Sequence, residues 1–341
     1  MRPVRSILLV TLVLAAAAAL GLDHVPWPRE ELSRRTGPEL GDIKMWGYQL
    51  QKADPERMPA GLEMLVTDYS RDGSAKGALT RGDVAKFQHM PDGRRRIVLA
   101  YMSVGEAESY RYYWSPAWTA LKPRWLGPEN ATWKGNFEVR YWMDGWRRML
   151  ANPDRTVLDA LIETLNPERK PYLDQILDAG FDGVYLDRVD AFGDIGKEIP
   201  TPQAHMVTLV AKLSAYAKAR KKGFLIVAQN GEELLAREEY RRIIDGIAKE
   251  DLFYGIDGIN RDNEAQYVTQ SIRHLNRARA DGLPVFLVEY ASNPDLVRRA
   301  QRRAHDLGYV FTIARRDLDQ PPELLPPPEP DTNNTSAPVA R

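Results

Sequence analysis

Asp187 and Glu250 are the two residues of this chain best placed, by type and spacing, to do chemistry. Asp187 ends an apolar run in GFDGVYLDRVDAF, and Glu250 ends another in DGIAKEDLFY. Other apolar runs also finish on oxygen-bearing side chains: Asp68, Glu106 with Glu108, Gln229 with Asn230, and Glu289 beside Tyr290. Two carboxyls facing one another can divide the work of an acid and a base. Proximity and partial burial push their pKa values apart, so one keeps its proton while the other is ionised. Cleavage of a glycosidic bond needs that pairing and no metal. A strand-end aspartate can instead cap the next helix, and Asp187, Arg188 and Asp190 could form a salt-bridge cluster. Several such residues converging on one place would favour chemistry over capping.

That convergence requires a fold that gathers strand ends. Eight short apolar runs alternate with helical patterns: 45–50, 64–68, 97–102, 183–187, 224–229, 246–249, 285–290 and 309–314. This is the pattern of parallel strands joined by crossover helices. TPQAHMVTLVAKLSAYAKARKKG starts on Thr-Pro and ends on basic residues and Gly223, and NPDLVRRAQRRAHDLG offers Asn293 as cap with Pro294 in the first turn. Eight units predict a single α/β domain, a closed (β/α)8 TIM barrel, whose functional residues lie at the C-terminal ends of the strands. An open doubly wound sheet is the competing architecture, but no glycine-rich strand-to-helix loop is present to support it. The interval from about 103 to 181 holds Trp114, Trp118, Trp125, Trp133, Trp142 and Trp146. It is expected to be an aromatic-rich insertion after strand 3, a loop and helix region over the barrel mouth. Most of these rings are expected to pack, with one or two lining sugar subsites.

Composition excludes several classes. Lys plus Arg and Asp plus Glu each total 47, so the basic excess of a nucleic-acid binder is missing. There is no cysteine, which removes disulfides, thiol nucleophiles and cysteine-zinc sites. The five histidines, His24, His89, His205, His274 and His305, form no metal-binding spacing and none stands at a strand end. No metal and no cofactor is therefore expected. Lys249 beside Glu250 reads as an ion-pair or surface residue rather than a Schiff-base lysine. No phosphate loop follows the last two strands, and no Gly-x-Ser-x-Gly elbow occurs.

Arg2 and Arg5 precede an uncharged apolar run from Ile7 to Leu22 that ends in small residues. Residues 1–22 thus read as a signal peptide, with an uncleaved N-terminal anchor as the alternative, and the expected location is secreted or periplasmic. Residues 23–41 read as a lead-in linker, 42–320 as the barrel and 321–341 as a disordered Pro-rich tail.

WGYQLQ, VLAYMSVGEAESYRYYW, GFDGVYLDRVDAF, AQNGEELL and AKEDLFY together resemble glycoside hydrolase family 114, from about Trp46 to Asp319. The resemblance implies a (β/α)8 barrel and endo-α-1,4-polygalactosaminidase activity on a galactosamine-rich polysaccharide. It places the family's catalytic Asp on Asp187, as nucleophile or base, and its catalytic Glu on Glu250, as general acid or acid/base, with the roles interchangeable. Asp68, Tyr69, Tyr101, Glu106, Arg111, Gln229, Asn230 and Glu289 are the candidate substrate contacts. An acidic mouth would attract a cationic, partly deacetylated polymer. The alternative function is a non-catalytic carbohydrate-binding barrel in a polysaccharide biosynthesis or export system. No nucleic acid partner is expected, and membrane contact only through an uncleaved N-terminal segment.

Overall fold

The computed structural model describes residues 40–328, apart from 155, 157–158, 160–169 and 196–197. The expected signal segment, most of the lead-in linker and the end of the Pro-rich tail lie outside the described residues.

Thirteen strands are described, and eight of them form one parallel sheet. These are β1 (Trp46–Tyr48), β2 (Met64–Thr67), β3 (Ile97–Ser103), β7 (Gly183–Asp187), β8 (Leu225–Gln229), β9 (Gly246–Glu250), β12 (Val285–Glu289) and β13 (Val310–Ile313), hydrogen-bonded in that order. They are the eight runs expected from sequence. The sheet curls back on itself: Trp46 Nε1 donates to Val310 O at 2.9 Å, and Leu50 N and Gln51 N both donate to Leu318 O at 2.9 Å. The molecule is thus a (β/α)8 barrel.

Side-chain alternation along each strand separates two apolar layers. Trp46, Tyr48, Val66, Leu99, Tyr185, Val227, Ala248 and Val288 belong to the cluster inside the barrel. Their strand neighbours Leu65, Val98, Val184, Ile226, Ile247 and Leu287 belong to the layer beneath the helices. The α-helices among the described residues are α1 (Arg81–Gln88), α2 (Asp144–Leu150), α3 (Tyr172–Ala179), α4 (Pro202–Arg220), α5 (Glu238–Ile243), α6 (Ala265–Ala280) and α7 (Pro294–Leu307). Their ends follow the sequence signals. Thr80 and Asp83 form a capping box on α1, and Asn293 caps α7, which starts on Pro294 and stops at Gly308 in the left-handed region, φ 69°.

No α-helix connects β1 to β2; a 3-10 turn at Pro55–Arg57 lies there instead. The start of the Pro-rich segment helps cover the outside of β1. Pro322 is buried against Gly47, where an added Cβ would sit 2.2 Å from the proline ring. Leu324 and Leu325 pack on the outer core, and Gln301 donates to Pro326 O at 2.6 Å.

The insertion after β3 contains a small antiparallel sheet, with β4 (Glu106–Glu108), β6 (Asn136–Val139) and β5 (Leu126–Glu129) in that spatial order, followed by α2. The sheet was not expected: strands of three or four residues such as LGPE and NFEV carry no apolar run to betray them. Trp114, Trp118, Trp125 and Trp146 form a chain of ring contacts with centroids 5.0–5.1 Å apart. Trp146 is fully buried and donates to Val104 O, which fixes the insertion to the end of β3. Trp142 packs on Tyr141. Trp133, in the β5–β6 turn, is the exposed one of the six at 53%. The remaining strands, β10 (Tyr254–Gly255) and β11 (Gly258–Asp262), form a hairpin after β9.

Candidate active site

Asp187 and Glu250 end two barrel strands separated only by β8, and both share the inward face of their strands, with Tyr185 and Ala248. Tyr101, on β3, pairs with Tyr185, and Ser103 pairs with Asp187. This register lets the Tyr101 hydroxyl donate to Asp187 Oδ2 at 2.7 Å. Glu250 accepts on both oxygens, from Asn230 Nδ2 and from the Tyr290 hydroxyl, each at 2.9 Å. Both carboxyls are therefore held in fixed orientations by neutral donors.

The two groups interact electrostatically. Burial pushes the Asp187 carboxyl up to about 7, and the negative charge of Glu250 adds to the shift while the Tyr101 hydrogen bond opposes it. Near neutral pH the Asp187 carboxyl is thus poised between its protonated and ionised forms, beside a second carboxyl on the same face of the barrel.

Below the pair the barrel is floored by tyrosines. Tyr48 and Tyr185 pack with ring centroids 5.1 Å apart, and the Tyr48 hydroxyl donates to Gln229 Oε1 at 3.4 Å. The Tyr185 hydroxyl is buried without a hydrogen-bond partner among the described residues, and Asp187 and Glu250 both raise the energy of ionising it.

The remaining expected site residues divide sharply. Tyr101, Gln229 and Asn230 are at the site, although Asn230 is committed to Glu250. Asp68 and Arg111 form a nearly buried ion pair, with the guanidinium 2.7 and 2.8 Å from the two carboxylate oxygens. Arg111 also binds Glu108 Oε2 at 2.6 Å. Its guanidinium carbon lies 5.5 Å from the Tyr69 ring centre and 5.7 Å from that of Tyr101. This triad braces Tyr101 from behind and leaves Asp68 and Arg111 little freedom to bind a substrate. Tyr69 is buried in the outer layer and donates to Gly73 O. Glu106 is buried and satisfied by Asn130, Asn136 and Arg188, which ties the insertion sheet to the residue after Asp187.

Glu289 does not reach the mouth. It shares the outward face of β12 with Val285 and Leu287 and accepts from Phe253 N at 2.8 Å. Burial pushes its carboxyl up to about 8. Tyr290, one residue later, has the inward parity of Phe286 and Val288 and supplies a contact that was not among the expected site residues. Tyr48 was missed in the same way. Both could have been found by counting alternation through VFLVEY and WGYQLQ. The expected ring of carboxylates is thus mostly neutralised or turned outward. Asp187, Glu250 and Asp190 remain; Asp190 faces Arg188 at 3.4 Å and keeps a partly exposed side chain.

Among the described residues no cluster of histidines and carboxylates has the form of a metal site, and no helix is long and apolar enough to cross a membrane.

Comparison with known proteins places this geometry in a wider group. A family model described as glycoside-hydrolase family GH114 matches residues 30–325. An uncharacterized protein of Methanocaldococcus jannaschii is 31% identical over 293 residues, covering 81% of this chain and 77% of its own. Another from Thermotoga maritima is 32% identical over 307 residues, covering 82% and 86%. Among solved structures, Aspergillus fumigatus Ega3 in complex with galactosamine superposes with a TM-score of 0.60 at 19% identity, covering 86% of this chain and 98% of that one. The glycoside hydrolase domain of PelA from Pseudomonas aeruginosa gives 0.56 at 19% identity, covering 82% and 96%.

Proposed function

The chain belongs to glycoside hydrolase family GH114, and from that premise we propose that it cleaves a galactosamine-rich polysaccharide within the chain, at α-1,4 linkages, using Asp187 and Glu250. The observation that carries this reading is the pair at the mouth: burial, with the nearby Glu250 charge, raises the Asp187 carboxyl to about 7, while Glu250 is fixed by two donors. The likeness of fold to a protein solved with galactosamine supports the substrate class.

In the proposed reaction the protonated carboxyl gives its proton to the glycosidic oxygen as the bond from that oxygen to C1 breaks. The ionised carboxyl either attacks C1, forming a glycosyl ester that water then hydrolyses, or takes a proton from a water that attacks C1 directly. We assign Asp187 as nucleophile or base and Glu250 as acid. As nucleophile or base Asp187 acts in its ionised form, so its raised pKa sets the low-pH limb of the reaction. Azide rescue reads the roles: the nucleophile variant yields a glycosyl azide of opposite anomeric configuration to the substrate, and the acid/base variant one of the same configuration. Trp133 is proposed as a stacking surface for a distal sugar, and export by the N-terminal segment would bring the enzyme to its polymer.

The test is release of reducing ends from purified galactosamine-rich polysaccharide by the wild type, Asp187→Asn and Glu250→Gln. Loss in both folded variants is expected. Activity retained in either would show the pair to be wrong. A wild type that binds the polymer without cleaving it would turn the assignment to a carbohydrate-binding barrel.

A further inference from the structure

Lys249 stands on the far side of the barrel wall from the carboxyl pair. It alternates with Glu250 along β9 and shares the outward face with Ile247. Its ammonium is nearly buried, 3.5 Å from Glu232 Oε1 and 5.4 Å from the ring of Tyr267. Glu232 in turn accepts from Ser271 Oγ at 2.6 Å. Read alone, this is an ion pair that fastens the segment after β8 to α6.

One further contact changes that reading. Lys249 Nζ also donates to Asn230 Oδ1 at 3.1 Å, and the same oxygen faces Glu250 N at 3.3 Å. The other end of the amide, Nδ2, donates to Glu250 Oε1 at 2.9 Å. An ammonium can only donate and an ionised carboxylate can only accept. An asparagine between them has a single satisfying orientation, oxygen toward Lys249 and N–H toward Glu250. Asn230 reaches over the strand end to do this from a left-handed backbone, φ 59°, followed by Gly231 at φ 60°. Such a conformation is uncommon for a side-chain-bearing residue and has a cost that the surrounding contacts must offset.

We infer that Lys249 is a positioning residue for the reaction: through Asn230 it fixes the donor that orients Glu250, and the Lys249–Glu232 pair is retained to hold that amide. The inference rests on the proposed role of Glu250. It predicts that Lys249 influences turnover without touching the sugar.

Replacing Lys249 alone would leave Glu232 buried and unpaired, so the test uses Lys249→Met combined with Glu232→Gln, which keeps an acceptor for Ser271. Relative to wild type, this variant should retain its melting temperature and its KM for the polymer. Its kcat should fall about tenfold, the effect of one hydrogen bond to a charged group. Asn230→Ala should give the same loss, and adding it to the double variant should cost nothing more. Lys249→Arg, which keeps a cationic donor, should recover part of kcat. Losses that multiply, or an unchanged kcat, would reduce Lys249 to a structural ion pair. A readout independent of activity separates this from failure of the proposed function. The side-chain amide signal of Asn230, identified by its disappearance in Asn230→Ala, should be protected from exchange in wild type and lose protection in the double variant. Protection retained there would overturn the inference even if no polymer were cleaved.

Discussion

The Tyr101 hydroxyl donates to Asp187 Oδ2 at 2.7 Å, across two adjacent barrel strands whose register sets Ser103 against Asp187. Tyr101 is in turn backed by the Arg111 guanidinium, itself held by Asp68 and Glu108. The carboxyl most raised by burial in the mouth is thus attached to a buried ionic brace through one phenol.

Tyr101→Phe removes a donor that favours ionised Asp187. The Asp187 carboxyl should then rise above its value of about 7, and the low-pH limb of the rate profile, on which Asp187 must ionise to act, should move upward with it. Turnover should fall by roughly tenfold. A pH–rate series on the purified variant checks both effects, and an unmoved low-pH limb would mean that the phenol does not govern the Asp187 carboxyl.

Glu250→Gln tests the coupling from the other side. Its charge is the second cause of the Asp187 shift, after burial. The variant's Asp187 carboxyl should titrate below 7 yet stay above an ordinary aspartate, because burial persists. Carbon-13 NMR titration of labelled aspartate reads this directly. A midpoint left at its wild-type value would show that the Glu250 charge does not act on Asp187.

Glu289 gives a stability prediction with a definite sign. Its carboxyl is raised to about 8 in the folded protein, against roughly 4.3 when unfolded. The folded state binds the proton more tightly, so the contribution to stability is fully present below about pH 4 and is lost as pH rises to about 8. Glu289→Gln should flatten that slope and stabilise the protein at pH 9 by on the order of 2 kcal/mol, with activity unchanged because the side chain faces away from the mouth. Urea unfolding at pH 5, 7 and 9 would show it; equal slopes in the two proteins would refute it.

Trp133→Ala should raise KM for long polymer by about fivefold, the worth of one stacking contact, and leave hydrolysis of short oligomers unchanged. Its turn is anchored: Trp133 N donates to Asn130 Oδ1 at 3.1 Å, and Asn130 Nδ2 donates to Glu106 at 2.7 Å. Equal effects on long and short substrates would place Trp133 outside any distal subsite.

The barrel was legible in the sequence because each strand is an apolar run bounded by helix signals, and buried parallel strands have no other way to be written. The placement of Asp187 and Glu250 near one another was legible because strand ends converge on one mouth. What strand ends could not convey was direction. Glu289 and Tyr290 are neighbours, yet one faces helices and the other faces Glu250, and only the alternation through Phe286 and Val288 distinguishes them. Nor could spacing reveal that Asp68 and Arg111 are joined, since 43 residues separate them. Lys249 was read as an ion-pair residue, which it is; its second contact depends on the left-handed turn at Asn230, for which a single asparagine is too common a sign.

The contact between Trp46 and Val310 joins residues 264 positions apart. During synthesis β1 therefore emerges early and waits, its free edge exposed, until β13 and the proline-containing segment behind it have been made. Closure of the barrel therefore cannot precede the synthesis of β13. The long interval is one in which β1 is open to pairing with the wrong strand.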